Sequence, residues 1–156
     1  MTRRETRLFS LMFALLALLL CARAHAQTLP NSKLTPGATS TLTVGDLCDP
    51  AFHTGTVRAV SLKEKREVCD TYEAANCPGQ AWELDHLISL EIGGANVPAN
   101  LWPQPIAEAR KKDVIENALH KWVCGAPPSL RASRLLQAQS CIRTNWTSCA
   151  KVMGVK

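Results

Sequence analysis

The chain has 156 residues and a formal net charge of +5, and its length fits one compact domain better than two. Residues 1–26 hold four of the 18 Lys and Arg and one of the 13 Asp and Glu, so the remaining chain carries a charge of about +2. That charge excludes a histone-like protein, and any contact with nucleic acid must come from a local basic patch.

Residues 1–26 have the organisation of a secretory signal peptide. Three arginines precede an apolar run at residues 8–20, and Ala24-His25-Ala26 has small residues at the spacing that a signal peptidase accepts. The run is too short to cross a bilayer, which takes about 20 residues. We therefore expect cleavage after Ala26 and a periplasmic or secreted protein. Lipid attachment at Cys21 is the alternative, although Leu20, which is not small, precedes it.

The cysteines of the remaining chain predict disulfides. An exported domain of this size with six cysteines favours three disulfides, although the sequence does not choose among the pairings. A zinc site is the alternative, and the lack of any CxxC pair argues against it. The six residues are Cys48, Cys69, Cys77, Cys124, Cys141 and Cys149.

The first part of the mature chain is predicted to be an arm. Residues 27–45 are rich in Thr, Ser, Pro and Gly and have no apolar periodicity, which indicates a flexible, extended segment. The domain proper is predicted at residues 46–156. It begins with a short strand at residues 57–60 and a helix from Ser61 to about Ala75, whose capping box joins Ser61 and Glu64.

The middle of the domain is predicted to contain two strands and a helix. Bulky residues alternate from Trp82 to Leu90, as in a strand, and Gly93-Gly94 opens a loop. Leu101-Trp102 is a short return strand. A helix follows over residues 106–123, because one face collects the apolar side chains Ile115, Ala118, Leu119 and Trp122.

A last helix is predicted from Ser129, as N-cap, to about Thr144. Its inward side chains are predicted to be Leu135, Leu136 and Ile142.

Asp85 and His86 are the residues most suited to catalysis. Two adjacent polar residues among Leu84, Leu87 and Ile88 are costly to bury without partners. Phosphodiester hydrolysis uses a base that deprotonates water and a cation that neutralises the developing charge. An imidazole beside a metal-binding carboxylate supplies both, whereas the alternative is an ordinary Asp-His pair at the end of a strand.

The ordered run around this pair resembles the ββα-metal motif of HNH endonucleases. Asp-His, an apolar stretch, Gly-Gly, Asn100-Leu101 after a short loop and then a helix cover residues 82–124, about a quarter of the chain. The longer string, which continues through Trp102-Pro103-Gln104 and Lys112-Asp113, is similar to a group of exported bacterial HNH-like proteins. The resemblance implies an α+β fold: a small ββα-metal finger of HNH type with additional helices, stapled by disulfides.

The resemblance also implies roles for single residues. His86 is the general base, Asp85 is a metal ligand, and Asn100 takes the central Asn position. That Asn braces the loop carrying the base in some HNH members and binds the metal in exported non-specific relatives, so both roles stay open. The structural alternative for Asn100 is a turn residue.

The sequence departs from the HNH pattern at its third position. Ala109 stands where His is usual, and Asp113, at a second ligand position of some members, is the substitute. An ordinary solvated helix face is the alternative for Asp113. Oxygen-rich ligation favours Mg²⁺ over Zn²⁺ as the divalent metal.

The substrate predicted from these features is DNA, with RNA as a second candidate, cut with little sequence specificity. Arg110, Lys111 and Lys112, at the front of the helix, are predicted to contact phosphates, with a solvated charged turn as the alternative. Two rivals to a nuclease remain. One is a non-catalytic, disulfide-stapled binding module that keeps the HNH scaffold, and the other is a hydrolase of a different phosphodiester.

Overall fold

The computed structural model describes residues 28–154, which combine helices with one two-stranded antiparallel sheet. The predicted signal peptide lies outside this range. The α-helices are α1 (Val44–Leu47), α2 (Leu62–Thr71), α3 (Ile106–Cys124) and α4 (Pro128–Val152), and the strands are β1 (Trp82–His86) and β2 (Leu101–Pro105). Short 3₁₀ turns lie at Thr54–Thr56, Leu90–Ile92 and Pro98–Asn100. This content confirms the α+β class.

The two strands present different faces to different helices. They pair with His86 opposite Leu101, and successive side chains of a strand point to opposite faces. On one face, Leu84 and Leu101 pack with buried side chains of α2. On the other face, Asp85 contacts α3. The neighbours Asp85 and His86 therefore project towards different helices.

β1 is shorter than the predicted strand, Trp82 to Leu90, because the chain turns away after His86. Leu90–Ile92 forms a 3₁₀ turn instead. Gly93 follows with a φ of 79°, a left-handed conformation that glycine adopts without a steric penalty. The strand therefore ends several residues before Gly93-Gly94, the pair from which its end was predicted.

The capping box predicted at the start of α2 is confirmed. Ser61 Oγ accepts a hydrogen bond from Glu64 N (3.2 Å), and Glu64 Oε2 accepts one from Ser61 N (2.7 Å). The helix ends at Thr71, before the predicted end near Ala75. The predicted strand at residues 57–60 is wrong, because residue 57 lies in a turn, residues 58–60 are irregular, and neither β1 nor β2 pairs with them.

The last helix, α4, is interrupted at Asn145, whose φ of −163° and ψ of 93° are not helical. Asn145 Oδ1 accepts a hydrogen bond from Thr147 N (3.1 Å), so it caps the segment after the break. The predicted end near Thr144 coincides with this interruption. The predicted N-cap, Ser129, is wrong, since the helix already begins at Pro128.

The main core lies where α3 packs on α4. Leu119 of α3 is buried there with Leu135 and Ile142 of α4, as predicted. Leu136 was predicted to face inward but is 67% exposed. The reason is helical phase: Leu135 and Ile142, seven residues apart, share one face, whereas Leu136 is turned about 100° from Leu135.

Six cysteines form three pairs at disulfide distance, which confirms the predicted disulfides. Their Cα–Cα separations are 5.3, 5.5 and 5.5 Å. The first pair ties the end of α1 to the end of α3 across 76 residues of sequence, whereas each of the others spans 8. Disulfides are typical of proteins in oxidising compartments. The pairs are Cys48–Cys124, Cys69–Cys77 and Cys141–Cys149.

The segment before α1 is not the flexible arm that composition predicted. Thr35 is buried, and its hydroxyl donates to the Leu101 carbonyl (2.8 Å) and lies 2.6 Å from the Tyr72 hydroxyl. Gly37 N donates to the Ala99 carbonyl (2.8 Å). These partners are distant in sequence, so composition gave no sign of them.

Within residues 28–154, no helix has the length and apolar character of a membrane span.

Candidate active site

The candidate base, His86, is the last residue of β1 and is fixed through Asn96 of the following loop. His86 Nε2 lies 2.9 Å from Asn96 Oδ1. Asn96 Nδ2 donates to the Val57 carbonyl (2.6 Å), and a carbonyl can only accept. The Asn96 amide therefore presents its oxygen to His86, so Nε2 carries the proton in the neutral ring. Nδ1 keeps its lone pair and has no hydrogen-bonding partner among the described residues.

The surroundings of His86 favour the neutral imidazole. The residue is 2% exposed, and burial is the main cause that lowers its pKa below 6.5. The hydrogen bond to Asn96 and the charge of Asp85 oppose this shift, while the charge of Arg58 adds to it. A neutral imidazole with a free nitrogen is the form that can take a proton from water.

A cavity of about 500 Å³ lies beside His86. Leu84 and His86 form its wall on the β1 side, and residues before and within α2 form the opposite wall. It lies on the sheet face that α2 covers. A reactant in this cavity can therefore lie next to the imidazole without displacing side chains of the core.

Asn100 is fully buried and braces the loop that follows His86. Its Oδ1 accepts from Ile88 N (2.9 Å) and Ala38 N (3.4 Å), and its Nδ2 donates to the carbonyls of Ile88 (2.9 Å) and Ala95 (3.0 Å). Both oxygen lone pairs are used, so no acceptor is left for a metal ion. Of the two roles left open by the sequence, this geometry matches bracing. Gly94 belongs to the same arrangement, since a Cβ there would lie 1.8 Å from the Ile88 oxygen.

Lys112 is the centre of a buried charged cluster on the other face of the sheet. Its ammonium donates to Asp85 Oδ2 (2.8 Å), to the His86 carbonyl (2.6 Å) and to the Glu116 carboxyl group. These bonds use all three donors of the ammonium, and the side chain is 0% exposed. The prediction that Lys112 contacts phosphates is therefore wrong, because Lys112 is enclosed between α3 and β1.

The charged cluster holds one cation between two carboxyl groups. Burial raises the pKa of Glu116 to about 8, with Lys112 opposing this shift and Asp85 adding to it. Burial also opposes the charge on Lys112, but the two carboxyl groups outweigh that effect and raise its pKa. A proton on Glu116 leaves Asp85 and Lys112 as a neutral ion pair.

The predicted Mg²⁺ site does not fit these side chains. Asp85 Oδ2 already accepts a hydrogen bond from the Lys112 ammonium at 2.8 Å. The positive charge of Lys112 would repel a metal ion bound to the same carboxylate. Asp113 lies at the surface of α3, where partial desolvation of its carboxyl group and the charge of Asp85 raise its pKa. In the described part of the chain, no three His, Cys, Asp or Glu side chains converge as metal ligands. Dependence on Mg²⁺ therefore stays a prediction of the resemblance.

The two remaining residues of the predicted basic patch do lie on the surface. Arg110 and Lys111 are exposed, and Lys111 forms an ion pair with Glu108 at 2.6 Å. Their contact with phosphates stays a prediction. Ala109, at the position where HNH members have His, is 1% exposed, so a larger side chain there would have to displace the interior.

The roles of Asn96 and Glu116 were not predicted from the sequence. Glu116 follows Lys112 by four residues, a spacing at which opposite charges meet on a helix, and this signal could have revealed the pair. Asn96 gave no such signal, because it meets Val57 across 39 residues of sequence.

No protein-family model, no curated protein and no solved structure matches the chain.

Proposed function

We propose that the mature protein is an exported endonuclease that hydrolyses phosphodiester bonds of DNA, and of RNA as a second substrate, with little sequence specificity. The observation that carries the proposal is the geometry of His86, whose Nε2 is bonded to Asn96 while Nδ1 has no hydrogen-bonding partner among the described residues. The order β1, loop, β2, α3 and the bracing of the loop by Asn100 also support it, since an HNH-type ββα finger implies both.

In the proposed reaction, His86 Nδ1 takes a proton from water. The water oxygen then attacks phosphorus and forms the new P–O bond. The bond to the leaving oxygen breaks, and that oxygen keeps the electron pair and takes a proton from solvent. No covalent intermediate with the protein is needed. Because Asp85 accepts from Lys112, no step is assigned here to a metal ion, and dependence on Mg²⁺ stays a prediction.

Export is proposed from two features of the chain. Residues 1–26 have the pattern of a signal peptide, and the three disulfides fit a periplasmic or secreted protein. N-terminal sequencing of the exported protein should begin at Gln27. A lipidated Cys21 would contradict this assignment.

A non-catalytic binding module is the second candidate, and one observation favours it. Lys112 neutralises Asp85 inside the fold, so the carboxylate that HNH enzymes use for metal is here part of the scaffold. Such a module would bind nucleic acid through the same surface without cutting it.

The test compares wild-type mature protein with His86→Ala on supercoiled plasmid, with Mg²⁺ and with EDTA. We expect His86→Ala to cut about 10²–10⁴-fold more slowly at a temperature where the variant, which loses a buried side chain and its bond to Asn96, is still fully folded. His53→Ala is the matched control, since His53 is exposed and its side chain forms no hydrogen bond in the described chain. Normal cutting by His86→Ala would refute the mechanism. Plasmid that is bound but never cut by wild type, in either condition, would favour the binding module.

A further inference from the structure

The cavity beside His86 has cationic side chains on the wall that faces the imidazole. Arg58 and Lys65 line it together with Ser61, the N-cap of α2. The charge of Arg58 reaches the imidazole, since it adds to the effect of burial in lowering the pKa of His86. A base and two cations thus surround one space of about 500 Å³.

These two cations have no internal partner. Neither Arg58 nor Lys65 forms an ion pair within the described residues, where the ion pairs involve Lys63, Lys111 and Lys112. Arg58 is exposed and Lys65 is half-buried. The carboxyl groups of Glu83 and Asp113 feel the charge of Arg58, but neither forms an ion pair with it. Cationic groups that line a cavity without a paired carboxylate are available to an anion from solution.

One carboxylate, Glu64, also lines the cavity, and its position limits its effect. Its Oε2 accepts from the Ser61 backbone N–H at 2.7 Å. This hydrogen bond and the one from the Ser61 hydroxyl lower the pKa of Glu64, so the group stays ionised as part of the helix cap. The two cations still exceed it in charge.

We infer that a backbone phosphate of the nucleic-acid substrate binds in this cavity between Arg58 and Lys65, next to His86. This inference rests on the proposed function and names the substrate contacts of the same site. A guanidinium can hold two phosphate oxygens at once, and an ammonium adds a further donor. A phosphate held there lies beside His86, whose Nδ1 takes the proton of the attacking water in the proposed reaction.

The site differs from the basic patch that the sequence predicted. Arg110 and Lys111 lie on α3, the helix whose Lys112 contacts the Asp85 face of the sheet. The cavity lies on the opposite face, with α2.

The test measures binding of a short fluorescent DNA duplex by anisotropy, in the His86→Ala protein, so that cleavage does not interfere. The variant Arg58→Ala/Lys65→Ala is compared with Arg110→Ala/Lys111→Ala, which loses the same charge. We expect the first variant to raise Kd by about tenfold or more at low salt. It should also reduce the slope of log K against log salt by about 2. The second variant should raise Kd by a smaller factor than the first, because its side chains lie on α3 and do not line the cavity.

The outcomes separate this inference from the proposed function. Equal weakening by both pairs, or by the α3 pair alone, overturns the inference but leaves His86-dependent cleavage in place. The inference also fails if the Arg58 and Lys65 variant binds like its parent, or if the parent does not bind DNA at all. Plasmid cleavage by the wild-type protein, measured separately, decides the proposed function. Arg58→Lys should have a steeper salt dependence than the Arg58→Ala/Lys65→Ala variant, because it keeps the positive charge. It should still bind more weakly than the parent, because an ammonium cannot hold two phosphate oxygens as a guanidinium does.

Discussion

The Oδ1 atom of Asn96 accepts a hydrogen bond from Nε2 of His86 at 2.9 Å, and the Val57 carbonyl fixes the direction of that amide from the other side at 2.6 Å. The Val57 carbonyl thus sets the tautomer of the imidazole through the Asn96 amide. As a result, Nδ1 is the basic nitrogen of the neutral ring.

The first prediction concerns Asn96→Asp. A carboxylate at this position still accepts from Nε2, and its charge favours the imidazolium, so the pKa of His86 should rise. Because the base works in its neutral form, the pH at half-maximal cleavage should move upwards by about 1 unit or more. The measurement is kcat/KM against pH.

Asn31→Asp is the control for the charge change, since Asn31 is exposed and only caps its own turn. It should leave the pH profile where it is. Asn96→Asp also loses the donor to the Val57 carbonyl, so its melting temperature should fall. An unchanged pH profile, measured where the variant is still folded, would show that Asn96 does not act on the base.

The second prediction is the pH dependence of the wild-type protein. Burial lowers the pKa of His86 below 6.5. The rate of cleavage should therefore rise with pH, reach half its maximum below pH 6.5 and stay level above pH 7. A rate that falls as pH rises through this range would mean that His86 acts in its protonated form.

The third prediction tests the brace formed by Asn100. Asn100→Ala leaves the backbone N–H and carbonyl of Ile88 without their buried partner, and a buried unpaired group costs about 1–3 kcal/mol. We expect the free energy of unfolding, from urea titration, to fall by at least that amount. Asn117→Ala is the control, because Asn117 is exposed and makes one bond, to its own helix. Equal losses in the two variants would contradict the brace.

Local signals in the sequence predicted the elements well. Ser61 and Glu64 are three residues apart and form their capping box within one turn, so no distant contact decides it. The apolar alternation that predicted β1 and the spacing that predicted α3 are likewise local. The disulfides followed from cysteine number and expected export, whereas their pairing depended on the fold.

Contacts between distant segments limited the prediction of the site. Lys112 stands beside Arg110 and Lys111 in sequence and looks like part of a surface patch. It lies seven residues before Leu119, on the buried side of α3, and it can be enclosed there only because Asp85 comes from β1. Thr35 is a second case, since its partner Leu101 lies 66 residues away.

The fourth prediction concerns the protonation of Glu116. Its pKa is raised to about 8 in the folded protein, against 4.5 for a free carboxyl group. Between these values, the unfolded chain releases a proton that the folded protein keeps. The stability that this proton provides is complete below pH 4.5 and is lost as pH rises through about 8, at up to about 1.4 kcal/mol per pH unit.

Glu116→Gln does not titrate, and its amide oxygen can still accept from Lys112. The free energy of unfolding of this variant, relative to wild type, should therefore increase steadily from pH 5 to pH 8. Urea titrations at several pH values measure this difference. Glu108→Gln is the matched control, since Glu108 pairs with Lys111 at the surface and should show only a small, pH-independent effect. If the difference instead stays constant from pH 5 to pH 8, Glu116 is ionised in the folded protein throughout this range, and the buried cluster carries a net negative charge.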